Sequence, residues 1–219
     1  MTANAQPVVH VVDDDDAVRR SLVSLLEEVG IPVATFPSAE AFLQALRDDS
    51  RGCILLDVRM PGMSGLQLQL LLRERGVSLP TIILTGHADV PMAVSAMSAG
   101  AAGFVEKPFH PQALLDRIHD CLEADARQAA LQAERRQAAH SLACLSGREQ
   151  EVLRELVKGK PSKLIASALG ISEKTVDVHR SNLMRKTGTR SVAELVRLWF
   201  LIHPIDEQTD RPSAPRASQ

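Results

Sequence analysis

The chain has 219 residues, with 25 Lys+Arg against 27 Asp+Glu and 45% hydrophobic residues, a composition that belongs to folded rather than disordered proteins. Aromatic residues are only 3% (five Phe, one Trp, no Tyr), which excludes a stacking platform for RNA or single strands. Cys53, Cys121 and Cys144 form no CxxC pair, against a disulfide framework or structural zinc. No apolar run approaches the ~20 residues of a bilayer crossing, and residues 1–10 lack signal-peptide features. A cytoplasmic chain with no membrane partner is expected.

The charges are unevenly distributed. Residues 1–124 carry 16 acidic and 9 basic side chains, net −7, whereas residues 146–205 carry 6 and 11, net +5. The segment 125–145 is net +1 and the tail 206–219 net −1. An acidic front and a basic back imply two domains with different partners.

In the front half, short apolar or β-branched runs at 7–12, 33–36, 53–56, 81–84 and 103–105 predict five strands. Between them, 17–29, 39–46, 66–75 and 92–99 show helical spacing, with Ser38, Ser64 and Asp89 as N-caps. This alternation predicts an α/β fold: a flavodoxin-like, doubly wound parallel sheet of order 2-1-3-4-5, whose ligands bind beyond the carboxyl ends of the strands. From Pro111 a helix continues into residues 124–139, rich in helix formers, read as an exposed helical linker over 125–145 or a partly frayed one.

Residues 146–205 read as helical throughout. Ser146-x-x-Glu149 and Ser191-x-x-Glu194 have the capping-box pattern. A short helix at 163–169, a left-handed Gly170 cap and a basic helix at 173–186 behind Ser172 give the helix-turn-helix order. The tail 206–219, with Pro212 and Pro215, is expected to be disordered.

Four strand ends carry chemistry: Asp13 and Asp14 after the first, Asp57 after the third, Thr85 after the fourth and Lys107 after the fifth. Carboxylates of Asp13 or Asp14 with Asp57 suit Mg²⁺ (or Mn²⁺), which prefers hard oxygen ligands. An Asp57 carboxylate can attack a phosphoryl group while the metal and Lys107 neutralise developing charge, and Thr85 can hydrogen-bond the product. Aspartyl phosphatases of the haloacid dehalogenase type also use an Asp after an apolar strand, but they carry Asp-x-Asp where this chain has Asp57-Val58-Arg59.

These stretches, with Met60-Pro61-Gly62-Met63-Ser64-Gly65 after Asp57 and Glu106-Lys107-Pro108-Phe109, resemble a two-component receiver domain, here 1–124. The resemblance implies Asp57 as phosphoacceptor, Asp13 and Asp14 as the acidic metal pair and the Arg59 carbonyl as a further ligand. It implies Thr85 and Phe104 as a switch pair, with Phe in place of the family's frequent Tyr, and a cis Lys107–Pro108 bond. Residues 86–94 further resemble the FixJ-type subgroup. No classical enzyme is implied beyond self-catalysed phosphoryl transfer and dephosphorylation.

On the basic helix, Val176, His179, Leu183 and Thr187 share one side and Lys174, Val178, Ser181 and Arg185 the other. Residues 146–202 resemble the LuxR-type four-helix DNA-binding domain, through Leu145-Ser146-x-Arg148-Glu149, Ile165-Ala166-x-x-Leu169-Gly170 and Thr175-Val176-x-x-His179. The segment Lys160-Pro161-Ser162-Lys163 departs from the family, which more often has Asn beside Lys. By motif position Lys174, Asp177, Val178 and Ser181 face bases, Lys163, Thr175, Arg180 and Lys186 face the phosphate backbone, and His179 packs inward. The expected partners are a sensor histidine kinase, double-stranded promoter DNA, a second copy on phosphorylation, and RNA polymerase. An output that binds RNA or protein is the alternative.

Overall fold

A computed structural model of the protein describes residues 6–86, 94 and 96–204. The Asp89 cap, much of the helix expected at 92–99, the FixJ-like stretch 87–93 and the tail lie outside the described residues. The chain divides between Ala129 and Ala130 into two compact units.

In the first unit, β1 (Val8–Val12), β2 (Val33–Phe36), β3 (Gly52–Asp57), β4 (Thr81–Thr85) and β5 (Gly103–Glu106) form one parallel sheet of order β2-β1-β3-β4-β5. The central strand β3 is buried at all six positions. Its side chains alternate between two cores. Ile54 and Leu56 pack with Val12, Phe42, Leu68 and Ile83 on one face, and Cys53 and Leu55 with Val11, Leu22, Leu26 and Ile118 on the other. Burial on both faces explains why the strand reads as an unbroken apolar run rather than an alternating one.

The flanking helices begin where local chemistry satisfies their free N–H groups. Helix α1 (Asp16–Glu28) is capped by Asp15, which accepts from Ala17 N at 2.8 Å. Helix α2 (Ala39–Ala45) is capped by Ser38, and α3 (Gly65–Glu74) by a complete Ser64–Gln67 capping box. Between Asp57 and α3, Gly65 permits a close approach, because a Cβ there would stand 2.1 Å from the Asp57 carbonyl oxygen.

Helix α4 runs without a break over Pro111–Ala143. The expected linker 125–145 is helical as far as Ala143 but is not simply exposed. Asp125 is buried against the start of β3, while Leu142 and Leu145 belong to the core of the second unit. The sequence obscured this because the inward positions are occupied by a carboxylate and small residues as much as by large apolar ones.

The second unit continues with α5 (Gly147–Val157), α6 (Ser162–Leu169), α7 (Glu173–Thr187) and α8 (Val192–Ile202). Their core gathers Val152, Leu153, Ile165, Val176, Leu183 and Leu195. Gly170, at φ 64°, ends α6 in the left-handed conformation, and Ser172 caps α7. Pro161 stands at the N-cap of α6. One local expectation changes, at the second capping box. Ser191 accepts from Glu194 N, but Glu194 Oε2 reaches past it to Arg190 N at 2.7 Å, so the second capping box is only half formed.

Candidate functional site

The first site lies at the carboxyl ends of β1, β3, β4 and β5, where parallel strands point their terminal residues into one crevice. Asp13 is 1% exposed, Asp57 7% and Thr85 1%. The Lys107 Nζ, arriving from β5, donates to Asp13 Oδ2 and to Asp57 Oδ1, both at 2.6 Å. The remaining oxygens are held by backbone: Asp13 Oδ1 accepts from Asp15 N at 2.9 Å, and Asp57 Oδ2 from Arg59 N at 2.7 Å. The Lys107–Pro108 peptide is cis.

Two buried carboxylates thus share one ammonium. Burial pushes the Asp57 carboxyl above its usual range, with the nearby Asp13 charge adding to that and Lys107 and the Arg59 amide opposing it. Burial pulls the Lys107 ammonium down, but its hydrogen bonds and charge pairing with Asp13 and Asp57 outweigh that and leave it raised. Lys107 therefore stays charged between the two carboxylates.

Asp14 and Arg59 are exposed, and the side chain of Phe104 is half-buried against the core around Val12 and Ile83. Asp15 and Asp16 belong to α1: one caps the helix, and the other pairs with Arg19 and Arg20. Among the described residues, no three His, Cys, Asp or Glu side chains are grouped closely enough to enclose a metal. The donor chemistry still fits Mg²⁺, which keeps several waters and takes one or two carboxylates. His10, one of the scattered histidines, lies 6.1 Å from Phe36 and 5.7 Å from Phe42, centroid to centroid.

The second site is the outer face of α7. Lys174, Asp177, Val178 and Ser181 are exposed there, Val178 by 54%, while Val176 and Leu183 are buried beneath. Lys163 is exposed on α6, Thr175 shares its hydroxyl with the Ser172 cap at 2.8 Å, and His179 is half-buried. Ser162 Oγ joins Asp177 and Arg180 across the two helices.

Lys186, exposed at the end of the same helix, also has a partner within the fold. Its Nζ donates to Glu149 Oε2 at 2.7 Å, and that oxygen also accepts from Ser146 N and Oγ. Glu149 is 4% exposed. Burial raises its carboxyl, yet the Lys186 and Ser146 hydrogen bonds more than reverse this and bring it down to about 2. A basic residue late in a recognition helix carries no local signal for a partner 37 residues away.

Sequence comparison agrees with both halves. The response regulator receiver domain family matches residues 9–119, and the family of bacterial regulatory proteins of luxR type matches residues 143–199. The chain belongs to the two-component response regulators: it joins a receiver to a LuxR-type DNA-binding domain and is a regulator of transcription controlled by phosphorylation, not a classical enzyme. It is 48% identical to the transcriptional regulatory protein FixJ of Azorhizobium caulinodans over 92% of this chain and 96% of that protein. The solved structure of the response regulator StyR matches with a TM-score of 0.80 at 46% identity, covering 89% of this chain and 98% of that one. Full-length FixJ from B. japonicum matches at 0.55 and 40% identity, covering 92% and 100%. The receiver implies a sensor kinase as partner, and the LuxR-type domain implies DNA. Among the described residues no helix is long and apolar enough to cross a membrane.

Proposed function

We propose that Asp57 is the phosphoacceptor of this regulator, on the strength of one observation: the Lys107 ammonium stands 2.6 Å from both Asp57 and Asp13. An Asp57 oxygen attacks the phosphorus of a kinase phosphohistidine. The new O–P bond replaces the N–P bond, and the imidazole leaves with the electron pair and takes up a proton. Lys107 stays protonated throughout and neutralises charge on the phosphoryl oxygens. The chain's own groups thus catalyse the transfer, and water can later hydrolyse the acyl phosphate to free Asp57 and inorganic phosphate.

Mg²⁺ or Mn²⁺ would be held by Asp13, Asp14, Asp57 and the Arg59 carbonyl, supplying further positive charge at the phosphoryl oxygens. Thr85 donates its hydroxyl to the acyl phosphate, and Phe104 follows its movement. In this reading the receiver covers 1–124 with Asp125 as its last anchored residue, and the DNA-binding domain covers 146–205. Phosphorylation favours a homodimer on paired half-sites. Lys174, Asp177, Val178 and Ser181 read bases, while Lys163, Thr175, Arg180 and Lys186 hold phosphates. The protein works in the cytoplasm and meets RNA polymerase at promoters.

Labelling with a small phosphoryl donor tests the assignment. The wild-type chain takes up hydroxylamine-labile label and Asp57→Asn takes up none, whereas undiminished labelling of Asp57→Asn would move the acceptor elsewhere. Light scattering on the same samples checks the dimer, which an unchanged monomer after phosphorylation would exclude.

A further inference from the structure

Among the described residues five serines cap helices: Ser38, Ser64, Ser146, Ser172 and Ser191 each accept from the backbone of their own helix. Ser162 does not. It opens α6 immediately after Pro161, and that N-cap makes no side-chain hydrogen bond. Its hydroxyl turns to the next helix, 3.1 Å from Asp177 Oδ1 and 2.8 Å from Arg180 Nη1. A guanidinium can only donate, so the serine oxygen accepts from Arg180 and its single proton goes to the Asp177 carboxylate. One hydroxyl therefore fixes two side chains that lie one turn apart on the recognition helix.

Asp177 is exposed, on the face of a domain whose net charge is +5. A carboxylate there repels phosphates and lowers general affinity for DNA. It is useful where it accepts a hydrogen bond from a base, and a carboxylate in the major groove accepts from the N4 amino group of cytosine while opposing the acceptor edges of guanine and thymine. That role demands a fixed carboxylate, since a freely rotating one discriminates little.

Resting on the DNA-binding reading, we propose that Asp177 selects a cytosine in the major groove and that Ser162 is the positioning residue that aims it. The Ser162 hydroxyl orients Asp177 through Oδ1 and leaves Oδ2 toward the base edge. By holding Arg180 beside the carboxylate it keeps a positive charge next to it, so that the adjacent phosphates are not driven off.

The test uses the full chain, phosphorylated at its receiver, and duplexes with a randomised 20-base-pair core. Wild type is expected to enrich a motif with cytosine at one position of each half-site. Asp177→Ala and Ser162→Ala flatten the preference at that same position by about tenfold. On an unrelated duplex Asp177→Ala binds no more weakly than wild type and Ser162→Ala within about twofold of it, and Ser162→Thr, which keeps the hydroxyl, restores the preference. Flattening at different positions, an equal loss on every sequence, or failure of threonine to rescue overturns the positioning role. A wild-type chain that enriches no motif overturns the DNA-reading assignment itself. Melting curves of the variants separate these outcomes from loss of the fold.

Discussion

Lys186 donates to Glu149 across two helices at 2.7 Å, and the same Glu149 oxygen closes the capping box at the start of α5. One atom thus accepts the Ser146 N–H at the start of α5 and anchors the last turn of α7. Glutamine here would keep a capping oxygen but lose the ion pair.

Glu149→Gln is therefore expected to destabilise the DNA-binding unit by roughly 2 kcal/mol at neutral pH. The carboxyl titrates at about 2 in the folded unit against an ordinary 4.5. A depressed folded value means the stabilisation is complete above about 4.5 and disappears as pH falls from there toward 2. Urea midpoints of wild type and Glu149→Gln should converge over that interval. A difference that stays constant from neutral pH to pH 3 would show that the charge plays no part.

Asp57 and Asp13 press two carboxylates against one lysine. Replacing Asp57 by Asn removes a buried negative charge and should raise the receiver's melting temperature by a few degrees while abolishing phosphorylation. Lys107→Met should act oppositely, at a cost of about 3–5 kcal/mol, because it leaves two buried acids without their shared cation. Calorimetry decides this, and equal shifts of the same sign in both variants would contradict it.

At the far end of the sheet, Asp125 accepts from Arg51 Nε at 2.9 Å and from Gly52 N at 3.1 Å, and it is 6% exposed. Asp125→Ala is expected to cost about 3 kcal/mol or more, since the Gly52 N–H loses its acceptor and a buried pair is broken. Asp125→Asn, which keeps a carbonyl oxygen for that N–H, should cost less. Equilibrium unfolding in urea measures both, and a loss below about 1 kcal/mol for the alanine variant would refute the anchoring role.

Gly65 joins packing to chemistry. A Cβ at this position meets the Asp57 carbonyl oxygen at 2.1 Å and Leu56 Cγ at 3.1 Å, one of them rigid backbone. Gly65→Ala should therefore both destabilise the receiver and slow phosphoryl uptake by shifting Asp57. A variant of wild-type stability and uptake would show that the loop yields at no cost.

Much of this protein is written locally. The alternation of strands and helices, the strand-end acids and lysine, the Ser64 and Ser146 caps and the left-handed Gly170 all follow from periodicity and from residues within a few positions of each other. The chain's composition accordingly led to the sheet order and to both candidate sites. Glu194 reads less well, because the N-cap N–H and the one before it are nearly equivalent targets by sequence pattern.

The partnerships were decided elsewhere. Lys107 meets Asp13 across 94 positions, Asp125 meets Arg51 across 74, Lys186 meets Glu149 across 37, and Ser162 meets Arg180 across 18. Such pairs arise only when packed strands and helices bring distant side chains within hydrogen-bond reach, and no local periodicity encodes the choice of partner. The near balance of 25 basic and 27 acidic residues fixed by the sequence thus left open which charges would face a phosphoryl group or DNA and which would hold the fold together. Packing settled that question: Asp125 with Arg51 and Glu149 with Lys186 are enclosed against neighbouring elements and hold the fold, whereas Asp13, Asp57 and Lys107, although buried and paired, meet at the open carboxyl ends of the strands.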